Sequence, residues 1–135
     1  MTTHTILLPA GWAKPKGYAN GVAAEGRSVF VAGQIGWNRQ SRFECDDLVG
    51  QVRQSLQNVV DVLREAGAGP EHIVSMTWYL TDKKDYLANL DGIGRVYRDV
   101  IGRHFPAMAA VQVVALMEDQ AKVEIQATAV VPHPR

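Results

Sequence analysis

Residues 46–66 read DDLVGQVRQSLQNVVDVLREA, and this stretch decides the fold class. Leu48, Val52, Leu56, Val59, Val60 and Leu63 fall on one helical stripe, while Gln51, Arg53, Gln54, Gln57, Asp61 and Arg64 fall mostly elsewhere. Asp46 or Asp47 can cap the start of such a helix, and Gly67 can stop it. An apolar stripe of this length needs a sheet or a second helix to cover it.

Strand-like runs lie on both sides. Ser28–Ile35 is a short β-rich run bounded by Gly26 and Gly36, and Ile73–Leu80 is rich in Val, Thr, Trp and Tyr. Ala109–Leu116 and Lys122–Val131 read as two further strands, joined by Met117–Ala121. In the last of them Val123, Ile125, Ala127 and Ala129 alternate with Lys122, Glu124, Gln126 and Thr128, giving one apolar and one polar face. Thr81–Asp82 opens a second helix with apolar positions Tyr86, Leu90, Ile93, Tyr97, Val100 and Ile101, closed by Phe105–Pro106. Gly92 and Gly94 lie inside it at a cost of about 1 kcal/mol each. Residues 1–21, with Pro9, Pro15, Gly11, Gly17 and Gly21, read as an irregular or edge-strand lead-in, and Pro132–Arg135 as a loose tail. The expected architecture is α+β: a two-layer sandwich, one mixed β-sheet with two helices on one face. The other face stays bare of helices, so it is either polar or paired with other subunits.

The 135 residues suit a single domain, 1–135, and with 47% hydrophobic residues the chain needs no disulfide or metal to hold a core. The one cysteine, Cys45, cannot form an internal bridge and fits a reducing compartment. Fourteen basic residues balance fourteen acidic ones, so nucleic-acid binding through net charge is not expected. Met1–Ala10 lacks the pattern of a signal peptide and no apolar run is long enough for a membrane span, so the expected location is cytoplasmic, with no membrane partner.

Strong catalytic signatures are missing. The histidines His4, His72, His104 and His133 are far apart in sequence and there is no Cys-x-x-Cys pair, so no metal site is expected. Ser55 and Ser75 fall in helix and strand interiors, which excludes a nucleophile elbow. Gly33, inside a strand, marks a bulge, a close backbone approach by a ligand, or tight packing against a helix.

A set of local phrases carries more. Val31-Ala32-Gly33-Gln34-Ile35-Gly36, the helix residues Gln54 and Asn58 with Leu63 and Ala66-Gly67, Met76–Asp82, Phe105-Pro106-Ala107 followed by Ala110–Val113, and Val123–Ala127 occur in order across residues 14–131. Together they resemble the RidA (YjgF-like) family of imine and enamine deaminases. That resemblance implies a chorismate-mutase-like α+β fold and a homotrimer with clefts between subunits. It also implies hydrolysis of a reactive imine or enamine to a carbonyl compound and ammonia, without metal or organic cofactor. The family's catalytic glutamate maps onto Glu124, its cleft tyrosine onto Tyr18, and its substrate-facing strand backbone onto Gly33, Gln34 and Ile35. Hydrolysis of a C=N bond needs water delivered to carbon and a proton relayed to nitrogen, which a partly buried carboxylate can do, while a phenol can orient the substrate. On pattern alone Glu124 is also an ordinary glutamate on a polar strand face, and Tyr18 a packing residue.

One departure bears on the substrate. Where typical members follow proline-alanine with a carboxylate-gripping arginine, this chain has Met108, and Ala109 replaces the usual serine. Methionine makes that part of the cleft softer and more apolar. The expected substrate is therefore larger or more apolar than 2-aminoacrylate, with Trp37 as a flat wall. Lys14, Lys16, Arg39 and Arg103 are the candidates for a replacement cation. The alternative reading is a small-molecule-binding or protein-stabilising trimeric module without turnover.

Overall fold

A computed structural model describes residues 4–134. The first three residues of the expected lead-in, and Arg135 of the expected tail, lie outside that range. The chain begins with β1 (Thr5–Leu7), which pairs antiparallel with β2 (Gly21–Ala23) as a separate two-stranded ladder. Next come β3 (Arg27–Ile35), α1 (Leu48–Glu65), a 3₁₀ turn at Pro70–His72, and β4 (Ile73–Leu80). Helices α2 (Lys83–Ala88) and α3 (Leu90–Val100) lead to β5 (Ala107–Gln112) and β6 (Val123–Val131). The main sheet has the order β3-β6-β4-β5, with β4 and β5 parallel and the other neighbours antiparallel. The expected mixed α+β architecture is present.

Helix α1 forms as its stripe dictates. The Asp47 carboxylate accepts the Gly50 N–H, and the chain leaves the helix through Gly67 at φ 70°, a left-handed position that favours glycine. Leu48, Val52, Leu56, Val59 and Leu63 bury against Val123, Ile125, Ala127 and Ala129 of β6 and against Val31, Met76 and Trp78. Burying a side chain of this kind stabilises by about 1.5–3 kcal/mol.

Two elements and one side chain differ from the sequence expectation. The second helix is two helices: at Asn89 the side-chain amide turns back to the Asp85 carbonyl and carboxylate and breaks the run. It also stops earlier, at Gly102 with φ 91°, before Phe105–Pro106. Gly92 lies where α3 meets α1, since an added Cβ would come 3.2 Å from Val49, which accounts for a glycine inside a helix. Strand β5 is shifted, running Ala107–Gln112. Its ladder ends where β4 ends, Val113 gives its N–H to the Leu80 carbonyl, and Val114 swings fully into solvent.

The third difference concerns Gln51. The pattern placed it off the apolar stripe, yet it is only 1% exposed. Its amide nitrogen donates to the carbonyls of Cys45 (3.1 Å) and Gln120 (3.0 Å), and its amide oxygen accepts the Lys122 N–H (2.8 Å). A buried amide is tolerated because its hydrogen-bonding capacity is used.

Three histidines that are remote in sequence gather near the 3₁₀ turn. His4 Nε2 reaches the Val130 carbonyl (3.0 Å) and His104 Nε2 the Ile73 carbonyl (2.7 Å), while His72 Nδ1 accepts the Gly69 N–H (2.9 Å). Burial lowers the His72 pKa below its ordinary 6.5; His4 and His104 push the same way, and Glu71 opposes them. The folded state therefore binds this proton less readily than the unfolded chain. The stabilising contribution is fully present above pH 6.5 and is lost as pH falls from there through the lowered folded pKa. Protonating Nδ1 also removes the acceptor for Gly69. Urea unfolding between pH 7.5 and 5 is expected to show falling stability in wild type and a flatter profile in His72→Gln. An equally steep profile in the variant would assign the effect to other groups.

Candidate functional site

The site begins with Gly33. The β3–β6 register shifts between Val31 and Gln34, so the glycine sits in a bulge. Its missing side chain is occupied from the next strand, because the Glu124 side chain lies directly over it. A Cβ on Gly33 would come 2.7 Å from the Glu124 carboxyl carbon. Of the sequence alternatives for this glycine the bulge is realised, and the space beside it is taken by a carboxylate of the chain itself.

The bulge also changes which way the strand faces. Val31 stands opposite Ala127, on the helix side. After the bulge Gln34 stands opposite Ile125, again on the helix side, and Ile35 stands opposite Glu124 on the bare side. The row containing Glu124 continues across the sheet to Tyr79 and Val111. Tyr79 is half-buried and directly opposite Glu124. Alternation along Ile73–Leu80, with Met76, Trp78 and Leu80 buried, is the sequence signal that puts this phenol on the bare face.

Helix α1 fixes the strand end from the other side. Asn58 Nδ2 donates to the carbonyls of Ile35 (3.1 Å) and Trp37 (2.8 Å), and Gln54 Nε2 donates to Asn58 Oδ1 (2.8 Å). Gln54 and Asn58 therefore hold the Ile35–Trp37 backbone, which gives a physical role to that part of the sequence resemblance. Gly36 is buried beneath α1, and any Cβ there would come 2.8 Å from Gln51 Cα. Any side chain at this position would collide with the helix backbone.

The remaining sequence candidates fall in two other places. Gln34, Trp37 and Arg39 line a groove of about 610 Å³ beside α1, with Trp37 tilted against Phe43 at 6.0 Å. Tyr18, Lys14 and Arg103 line a second groove, of about 490 Å³. Tyr18 is tied to the start of β5, since Ala19 donates its N–H to the Pro106 carbonyl (2.9 Å) and bridges to Ala107. Ala109 is exposed on the bare face. Met108 stands in register with Met76, half-buried against the core on the helix side. Lys16 is exposed.

Glu124 and Tyr18 of one chain do not meet. Tyr18 flanks the row of Ala107, Ser75 and Thr128, four residues along β6 from Glu124. At ~3.3 Å per residue and ~4.8 Å per strand, the two lie roughly 20 Å apart. Among the described residues no three His, Cys, Asp or Glu side chains gather closely enough to hold a metal ion, and no helix is long and apolar enough to cross a membrane.

The family model described as Endoribonuclease L-PSP matches residues 12–131. The chain belongs to this family, the RidA-like proteins. The human 2-iminobutanoate/2-iminopropanoate deaminase is 30% identical over 105 residues, 77% of this chain and 73% of the relative. Among solved structures, the Rid-family protein YyfB of Yersinia pestis superposes with a TM-score of 0.84 at 30% identity, covering 95% of this chain and 98% of that one. Escherichia coli TdcF with bound serine gives 0.67 at 34% identity, over 90% and 91% of the two chains. The fold and the family expected from the sequence are both shown. The TdcF complex also shows that a RidA-like protein binds a small amino acid.

Proposed function

We propose that this chain is a metal-free deaminase that hydrolyses a reactive imine or enamine to a carbonyl compound and ammonia, in clefts between the subunits of a homotrimer. The observation that carries the reading is the Glu124 carboxylate lying over Gly33 on the helix-free face of the sheet. The imine deaminase name of the human relative supports the reaction class.

The chemistry balances with water as the only co-substrate. An enamine is first protonated at carbon and becomes the imine. Glu124 takes a proton from water as the oxygen adds to the C=N carbon, and the proton passes to nitrogen. The carbinolamine hydroxyl then gives up its proton, which Glu124 relays to nitrogen, and C=O forms as the C–N bond breaks and ammonia leaves. Tyr18 orients the substrate from a neighbouring copy, and the backbone of Gly33–Ile35 with Ala109 lines the cleft. Met108 is turned to the helix side and Trp37 lines the groove beside α1, so no cation stands at the Met108 position to grip a small carboxylate, and the substrate is larger or more apolar than 2-aminoacrylate. Ammonia release from enzymatically generated imines, small and bulky, tests the reading. Release that disappears without Glu124 supports it, and no release across the panel overturns it.

A second copy is needed because Glu124 and Tyr18 are far apart within one chain. The helix-free face supports association: Phe30 on it is 77% exposed, and Val111 lies partly exposed in the Glu124 row. Met117, on the β5–β6 connection, is also largely exposed. Large apolar side chains left exposed on a sheet face that no helix covers leave room there for a second chain. Sizing in solution is expected to give a mass near three chains at micromolar concentration. A clean monomer would remove the shared cleft.

A further inference from the structure

We propose that Lys14 and Arg103, beside Tyr18, form the carboxylate subsite of this protein, and that its substrate is an imino or enamino acid with a branched or aromatic side chain. The inference rests on the deaminase reading and adds the substrate class and the residues that select it.

The groove of about 490 Å³ at the start of β5 has two kinds of wall. Leu7, Leu8 and Phe105 supply apolar surface, and Lys14, Arg103 and Tyr18 supply two cations and a phenol. No aspartate or glutamate lines it. Among the described residues the ion pairs are Arg53–Asp99 and Arg64–Asp61, so neither Lys14 nor Arg103 has a carboxylate partner. Two uncompensated cations beside an apolar wall favour an anion with an apolar body. A groove of this volume has room for more than a three-carbon enamine.

The groove is also held in shape. Its two lining segments are joined by the Ala19 N–H to Pro106 carbonyl bond and the Ala19–Ala107 bridge. The 103–105 segment is fixed by the Tyr97 hydroxyl, which donates to the His104 carbonyl (2.5 Å), and by stacking of Tyr97 on Phe105 at 5.6 Å. His104 Nε2 meets the Ile73 carbonyl and anchors the same turn to β4. Preorganised cations lose less freedom on binding than cations on a loose loop. Met108, at the position of the usual arginine, packs toward the core, and Arg103 lies in the same connector, five residues earlier. Arg103 brings to the groove a charge that Met108 does not. With the groove facing Glu124 of a neighbouring copy, the carboxylate is gripped by one subunit and the C=N bond attacked by the other.

The test uses the intact oligomer and separates binding from turnover. Calorimetry compares 4-methyl-2-oxopentanoate, an unreactive stand-in for the substrate, with the neutral ketone 4-methylpentan-2-one. Arg103→Gln and Lys14→Gln are each expected to weaken the oxo acid by about tenfold and the double variant by more, while ketone binding stays unchanged. Arg103→Lys should recover part of the loss. In ammonia release the KM for amino-acid-derived imines should rise while kcat moves by no more than about twofold. Oxo-acid binding that is unchanged in the double variant, or undetectable in wild type, overturns the subsite, as does equal loss of acid and ketone. Normal oxo-acid binding with no ammonia release would instead sink the deaminase reading and leave the subsite standing.

Discussion

Glu124→Gln is expected to lower kcat for ammonia release by about 10²–10³-fold, within the range for loss of a general acid–base group, while the protein stays folded. Glu124 sits near the start of β6 between Val123 and Ile125, both fully buried, on an inner strand with β3 on one side and β4 on the other. The side chain itself is only half-buried and makes no ion pair among the described residues, so the amide can take its place without leaving a partner stranded. The substitution keeps the length of the side chain but removes its capacity to take a proton from water. A coupled ammonia assay, with circular dichroism to verify the fold, reads both properties. A variant retaining more than about a tenth of the wild-type rate would move water activation elsewhere. Tyr79, opposite Glu124 in register, would be the next residue to replace.

Gly33→Ala is expected to separate activity from stability more sharply. The new methyl group would occupy the space in which the Glu124 side chain lies, 2.7 Å from its carboxyl carbon and 2.9 Å from its Cγ. Those atoms belong to a flexible chain on an open face, so the carboxylate can swing away and the sheet is spared. The folded state should change by less than about 1 kcal/mol, because alanine also restricts the unfolded chain. Displacing a reacting group by about 1 Å can cost on the order of 10²-fold in rate. The expected result is therefore a loss of about that size in kcat/KM, with a urea midpoint close to wild type. A large loss of stability would show that the glycine serves the bulge rather than the carboxylate. Full activity would show that Glu124 works from another rotamer.

How far the sequence could be read follows from the range of each interaction. The α1 stripe, the Asp47 cap, the Gly67 stop and the limits of β4 are set by neighbours a few residues away, and all were legible. Gly33 was recognisable as special, but its reason lies on a strand some ninety residues later. Asn89 breaks the second helix through a side-chain bond that helical periodicity does not register. Gln51 looked like surface because its three partners come from loops with no pattern of their own. The convergence of His4, His72 and His104 is likewise a product of tertiary packing. The family phrases identified the scaffold. They could not reveal that Arg103 and Lys14 share one groove, because the segments that carry them are joined only in the folded chain, by the Ala19–Pro106 hydrogen bond and the Ala19–Ala107 bridge.

The buried amide of Gln51 has an evolutionary consequence. It clasps the loop before α1 through Cys45 and the turn before β6 through Gln120 and Lys122, so these two segments share one fastening. Substitutions in one should not be neutral with respect to substitutions in the other, and their effects should depart from simple addition. A change in the Gln120 turn that lengthens its bond to the amide would alter what is tolerated around Cys45. Drift in this protein is then expected to proceed by paired changes across the fastening, with Gln51 itself the last of the group to move.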